Sequence, residues 1–277
     1  MRIPLNSCSK VDIDNEIRIV FLHRSTGQNI WNGNQSTTFS KIVGKINHRL
    51  SHKFYKKAAF PKLFERYNKD FNTNFIINEL TFPKSSPYGW HNYPYDYYKI
   101  WVKNDRNNDF MEESTLEMLT KKYQVIIFKH CFPVSNIQAN KDSCNINSDF
   151  KCTTNYKLQY LALREKLSEF PNTKFILFTG AAQIKSQITE NEAKRAKEFF
   201  DWVVKEWDLP DNNIYIWDFY NLQTEGGIYF NDINAYSATN SHPNEIFSGY
   251  VSELLFNRII DVIKSKGSET TLTGKRK

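Results

Sequence analysis

The feature that most constrains the fold is a set of five short apolar runs, Ile17–Leu22, Phe75–Leu80, Gln124–Phe128, Phe175–Phe178 and Ile214–Phe219, with turn signals at their ends. Such runs have strand length, and near-continuous hydrophobicity suits strands buried on both faces. Helical patterns separate them. Tyr156, Tyr160, Leu163, Leu167 and Phe170 recur at spacings of four and three and so share one helical face. Thr189 and Glu192 read as a capping box opening a helix with Ala193, Ala196, Phe199, Val203 and Trp207 inward, stopped by Pro210. A last helix is expected over about 245–264, with Phe247, Val251, Leu254 (or Leu255) and Ile259 inward. Alternation of strands and helices predicts an α/β fold, a three-layer α/β/α sandwich around a five-stranded parallel sheet in the flavodoxin-like order 2-1-3-4-5. No repeat or low-complexity linker interrupts the pattern, so residues 1–266 read as one domain. Residues 267–277 read as a flexible basic tail.

That order carries a functional statement. Ligands in such sheets bind beyond the strand C-termini at the switch point, here between the first and third strands. The loop after the first strand is His23-Arg24-Ser25-Thr26-Gly27-Gln28-Asn29, and the loop after the third runs from Lys129 to Asn136. The serine loop supports two chemistries, a phosphate cradle or an exposed nucleophile. A P-loop needs several glycines and a Gly-Lys-Ser/Thr ending, and only Gly27 is present. A looser loop of the kind found in sulfotransferases that use a 3′-phosphoadenosine donor remains the alternative enzyme reading.

A nucleophilic serine needs a base. Of six histidines, His48 and His52 fall in a basic region and read as surface residues, His91 lies in an aromatic loop, and His23 and His130 stand near strand ends. His242 stands apart, in the polar stretch "NSHPNEIFSGY" with a helix opening directly afterwards. A serine in a short turn after the first strand and a His-Pro just before the C-terminal helix resemble the first and last blocks of the SGNH (GDSL-like) hydrolases. The resemblance spans roughly residues 17–264 and implies the same sandwich, with Ser25 as nucleophile and His242 as base. It implies an oxyanion hole from the serine's own N–H, a glycine and an asparagine; Asn136 matches the asparagine, Gly89 the glycine, and Gly27 is an alternative donor. The sequence departs from the family at the acid. Thr239 occupies the position three residues before the histidine, where the family usually has Asp. Asn240 is the candidate for orienting His242, with Asp232 or a backbone carbonyl near Thr239 as competitors.

The loop from Ser85 to Trp101 is dense in aromatic rings. Read as a lid, it would offer Trp90 for stacking on a sugar face, with Asn92 and Asp96 bonding hydroxyls. The expected substrate is accordingly a small or carbohydrate-linked O-acyl ester, acetyl esters among them. A cleft with an impaired triad would instead be a carbohydrate-binding module. No cofactor is expected, and the four cysteines (Cys8, Cys131, Cys144, Cys152) show no metal spacing and read as reduced thiols. The net charge of +7 raises nucleic acid as a partner, but part of it belongs to the tail and part to the run Lys53–Arg66, which reads as a solvated helical face. No nucleic-acid or membrane partner is therefore expected. With no apolar run long enough for a signal peptide or a membrane span, the expected location is cytoplasmic.

Overall fold

The architecture follows from the five apolar runs. In the computed structural model, residues 16–34 and 58–277 are described; Cys8, His48, His52 and the first part of the basic run at 53–57 lie outside them. The strands are β1 (Glu16–His23), β2 (Asn74–Thr81), β3 (Val125–Lys129), β4 (Lys174–Phe178) and β5 (Ile214–Trp217). They form one sheet in the order β2-β1-β3-β4-β5, every neighbouring pair parallel. The three inner strands are buried along most of their length, whereas β2, at the edge, keeps much of its length exposed.

Two helical layers cover the sheet. Helix Glu245–Ser265 packs with Thr26–Asn32 and Ala59–Phe71 on one face. There Phe21 of β1 meets Phe60 and Phe178. The segment Pro94–Val102, which passes from an α-turn into a π-turn, packs with Thr153–Ser168 on the other, where Tyr97 and Trp101 lie against Phe128 of β3. The next helix, Glu190–Trp202, packs on Thr153–Ser168. The capping box is present: the Thr189 side chain accepts from the Glu192 amide while Glu192 reaches back to the Thr189 amide. That helix does not run to Pro210. It passes into a π-turn over Val203–Trp207 and ends at Asp208, so Trp207 is the last residue to point inward. Among the described residues no helix is long and apolar enough to cross a membrane.

Two expectations need correction. The stretch around His242 is not a plain loop: Ala235–Ser237 and Asn240–Pro243 form a small antiparallel hairpin, β6-β7. The C-terminal residues do not fray either. The Asp218 amide donates to Leu272 O (2.9 Å) and Trp217 Nε1 to Thr273 O (3.1 Å), while Thr270 is buried and its amide donates to Asp261 Oδ2 (2.8 Å). A helix-borne pair anchors this turn. Arg258 Nη1 lies 3.4 Å from Asp261 Oδ2, with both side chains almost fully enclosed, and also donates to Gly267 O and Thr270 Oγ1. Breaking such a pair leaves a buried charge uncompensated. Asp261→Ala is therefore expected to lower stability by about 3 kcal/mol in urea denaturation, with the segment after Gly267 becoming the first site of proteolytic cleavage.

Candidate active site

Ser25 sits where β1 hands over to a short helix, and its backbone is forced into φ 54°, a conformation that non-glycine residues seldom adopt. The turn is tight. The amide of Gly27 donates to Arg24 O (3.0 Å), and those of Gln28 and Asn29 to Ser25 O (2.8 and 3.3 Å). A side chain at position 27 would overlap His23 Cβ, so glycine is required there by packing. Three side chains brace the turn through four hydrogen bonds. Arg24 Nη1 donates to Pro83 O and Trp90 O (3.0 Å each), Lys129 Nζ to Arg24 O (3.3 Å), and Asn29 Nδ2 to Pro243 O (3.0 Å).

The hairpin brings His242 to the serine although 217 positions separate them. Ser25 Oγ is hydrogen-bonded to His242 Nε2, and His242 Nδ1 lies 2.7 Å from Asn240 Oδ1. The protonation pattern of this chain follows from one further contact. The backbone N–H of His242 also points at Asn240 Oδ1 (3.0 Å), and a backbone N–H can only donate. The asparagine atom facing the ring is therefore the oxygen, Nδ1 carries the ring proton, and Nε2 presents its lone pair to Ser25. The serine hydroxyl is the donor in that bond. Asp232 stands exposed in the turn Asp232–Asn234, with no described bond to His242, so of the two candidates it is Asn240 that meets Nδ1. Burial, with the nearby Lys129 cation second, holds His242 below the ordinary histidine pKa. The Phe132 ring packs edge-on against the imidazole, centroids 5.0 Å apart.

Several predicted residues lie elsewhere or are already engaged. The Gly89 amide donates to Ser85 O (2.7 Å) and that of Gly27 to Arg24 O, so neither glycine has an N–H to offer an oxyanion. The same turn bonds leave the serine loop without the fan of free amides a phosphate cradle needs. Asn136 is half-buried just past the turn Phe132–Val134, and its side-chain amide has no hydrogen bond among the described residues. Trp90, Asn92 and Asp96 are not a sugar platform. All three are buried, since the Ser85–Trp101 loop packs onto the sheet; Asp96 Oδ2 accepts from the Asn92 amide (2.6 Å), and Asn92 Nδ2 donates to Phe82 O (3.1 Å). Residues the sequence did not single out include Lys129, a lone charge ending the apolar run of β3, and Arg24. A groove of about 640 Å³ exists at the far end of β4 and β5, lined by Lys174, Asp208 and Arg258, and is remote from Ser25. Among the described residues no cluster of three His, Cys, Asp or Glu could hold a metal ion.

A parallel α/β sandwich with a Ser-His-Asn chain at its switch point thus defines the class of the site. No family model matches the chain, and no curated protein matches it. Among solved structures it resembles a gut microbial diltiazem-metabolizing enzyme at 11% identity and a TM-score of 0.45, over 87% of this chain and 46% of that one. It also resembles a carbohydrate esterase at 15% identity and a TM-score of 0.40, over 91% of this chain and 69% of that one. The chain spans about half the length of the first of these.

Asp96 supplies a test of the packed loop. Burial pushes its carboxyl up from 3.8 to about 6, only partly opposed by backbone hydrogen bonds from Asn92, His91 and Tyr93. A carboxyl raised in the folded state gives its full stability below the unfolded pKa and loses it as pH climbs through the folded one. Relative to Asp96→Asn, the wild type is therefore expected to lose about 3 kcal/mol of stability between roughly pH 4 and pH 6. Urea denaturation of both proteins across that window checks it.

Proposed function

We propose that this chain is a serine ester hydrolase of the SGNH type, acting on a small carboxylic ester with Ser25 as nucleophile, His242 as general base and Asn240 as the group that orients the base. The observation that carries the reading is the hydrogen-bonded chain from Ser25 Oγ through His242 to Asn240 Oδ1, in which only Nε2 is free to take a proton. In the reaction Nε2 accepts the hydroxyl proton while Oγ attacks the acyl carbon. The tetrahedral oxyanion takes hydrogen bonds from the Ser25 amide and the Asn136 side chain. On collapse the alcohol leaves with the proton held on Nε2, and the acyl-enzyme is opened by a water that the same imidazole deprotonates.

The family resemblance extends the proposal to O-acyl groups on carbohydrates, acetyl included. The rings that would have stacked on a sugar are taken up by the core, so the site residues specify the ester rather than the sugar. Asn in the orienting position holds the tautomer but supplies no counter-charge to the imidazolium, which predicts a slower enzyme than a carboxylate triad gives.

Two experiments test this. A fluorophosphonate should label the wild type, and Ser25→Ala should abolish labelling and cut kcat toward p-nitrophenyl acetate by at least about 10³-fold. A wild type that resists labelling, or hydrolysis untouched in the variant, overturns the reading. The second concerns pH. Because burial and Lys129 hold His242 below the usual 6.5, the acid limb of kcat/KM should lie below that value. Asn240→Asp places a carboxylate beside Nδ1, which favours the imidazolium, so the limb should move to higher pH and kcat should rise about tenfold.

A further inference from the structure

β3 ends in a lysine that is wholly enclosed: Lys129 has no exposed surface. It pairs in register with Phe178 of β4, and its Nζ hangs 5.7 Å from the Phe178 ring centroid. Among the described residues no carboxylate pairs with it; the head group meets Arg24 O at 3.3 Å and Cys131 Sγ at 3.6 Å. Burying an ammonium without a counter-ion is costly, and an apolar side chain of the same length would avoid that cost. The contacts of Nζ are therefore where a function for Lys129 has to be found.

Both of those contacts belong to the edge of the site. Arg24 O is the carbonyl of the peptide that leads into Ser25, the residue held at φ 54°. The same residue's guanidinium is tied to Pro83 O and Trp90 O, so Lys129 closes the opposite side of one brace. Cys131 Sγ also reaches toward Arg24 O (3.9 Å). The titratable and charged groups around Nζ are His23 at the end of β1 and Arg24 just beyond it, His130 and Cys131 in the loop after β3, and His242 from β7. His242 itself contacts the Ser25 hydroxyl, the Asn240 carbonyl and the Phe132 ring, and the charge of Lys129 acts on it, with no carboxylate bonded to it among the described residues.

We propose that Lys129 is a positioning residue for the Ser25–His242 pair: Nζ pins the Arg24 carbonyl so that Ser25 keeps its positive-φ turn and its hydroxyl stays at His242 Nε2. The inference rests on the hydrolase reading of the same site and adds to it a residue outside the Ser-His-Asn chain. Its consequence is a hydroxyl held at the base by a backbone braced on both sides, while the same enclosed cation adds to burial in holding the His242 pKa down.

Lys129→Met tests both halves, since methionine fills the space without donor or charge. The turn half predicts that kcat toward p-nitrophenyl acetate falls at least about tenfold with KM within twofold, as small misplacements of a reacting group act on the chemical step. The charge half predicts that the His242 titration, followed by the imidazole proton resonances in NMR, moves to higher pH, and that the acid limb of fluorophosphonate labelling moves with it. Lys129→Arg, which retains a cation, should keep the low titration. A purely structural lysine would shift neither titration. Unchanged kcat together with an unchanged His242 titration in folded Lys129→Met overturns the proposal. Should that variant not fold, Lys129→Leu takes its place under the same criterion. The NMR titration needs no activity, so a wild type that resists labelling would remove the hydrolase reading while leaving the titration readout of Lys129→Met intact.

Discussion

The parallel pairing of β1 with β3 is the constraint from which the site grows. Side by side and running the same way, the two strands release their chains at one edge of the sheet, Ser25 from one and Lys129 to Asn136 from the other. Everything else at the site is fastened to that edge. Arg24 reaches from the serine turn to the loop after β2, Lys129 returns from β3 to the Arg24 carbonyl, and Asn29 ties the first helical turn to Pro243 in the hairpin that bears His242. The peptide preceding the serine is thus gripped through both its side chain and its carbonyl. Such overdetermination is what a strained φ requires in order to persist.

Much of this was legible in the sequence, for physical reasons. The inner strands are buried on both faces, so their residues are apolar without interruption and mark themselves. The capping box at Thr189 and the 3-4 spacing of Tyr156 to Leu167 are local signals that depend on little beyond the chain itself. Ser25, His242 and Asn240 could be picked because topology decides which loops face each other, and the structure does bring those three together.

What was not legible depends on packing. The aromatic loop from Ser85 to Trp101 has the composition of a sugar platform, but composition does not say which way a ring faces; Trp101 and Tyr97 are fully buried, while Tyr88 stays exposed. The glycine candidates failed for a related reason. Whether an N–H is free to bind an oxyanion is decided by turn closure, and Gly27 and Gly89 both spend theirs on a carbonyl three or four residues back. The hairpin around His242 was hidden because its strands are three and four residues long and polar, too short for any periodicity. The basic tail looked solvated because the partners that order it, Arg258 and Asp261, sit earlier in the chain, in a helix whose apolar spacing masks their burial.

The replacement of a carboxylate by Asn240 and the burial of Lys129 bear on each other. In a carboxylate triad the anion steadies the imidazolium as it forms, and the base is also more easily protonated at rest. Here the partner of Nδ1 is neutral, and burial first and the Lys129 cation second hold the imidazole below its ordinary pKa, with no carboxylate bonded to the ring among the described residues. Catalysis in such a site has to rest more heavily on geometry, because charge on the histidine does not help it. The braced turn meets that requirement. On the proposed reading, the lysine whose cation adds to burial in lowering the base's pKa is also the residue that pins the carbonyl preceding the nucleophile.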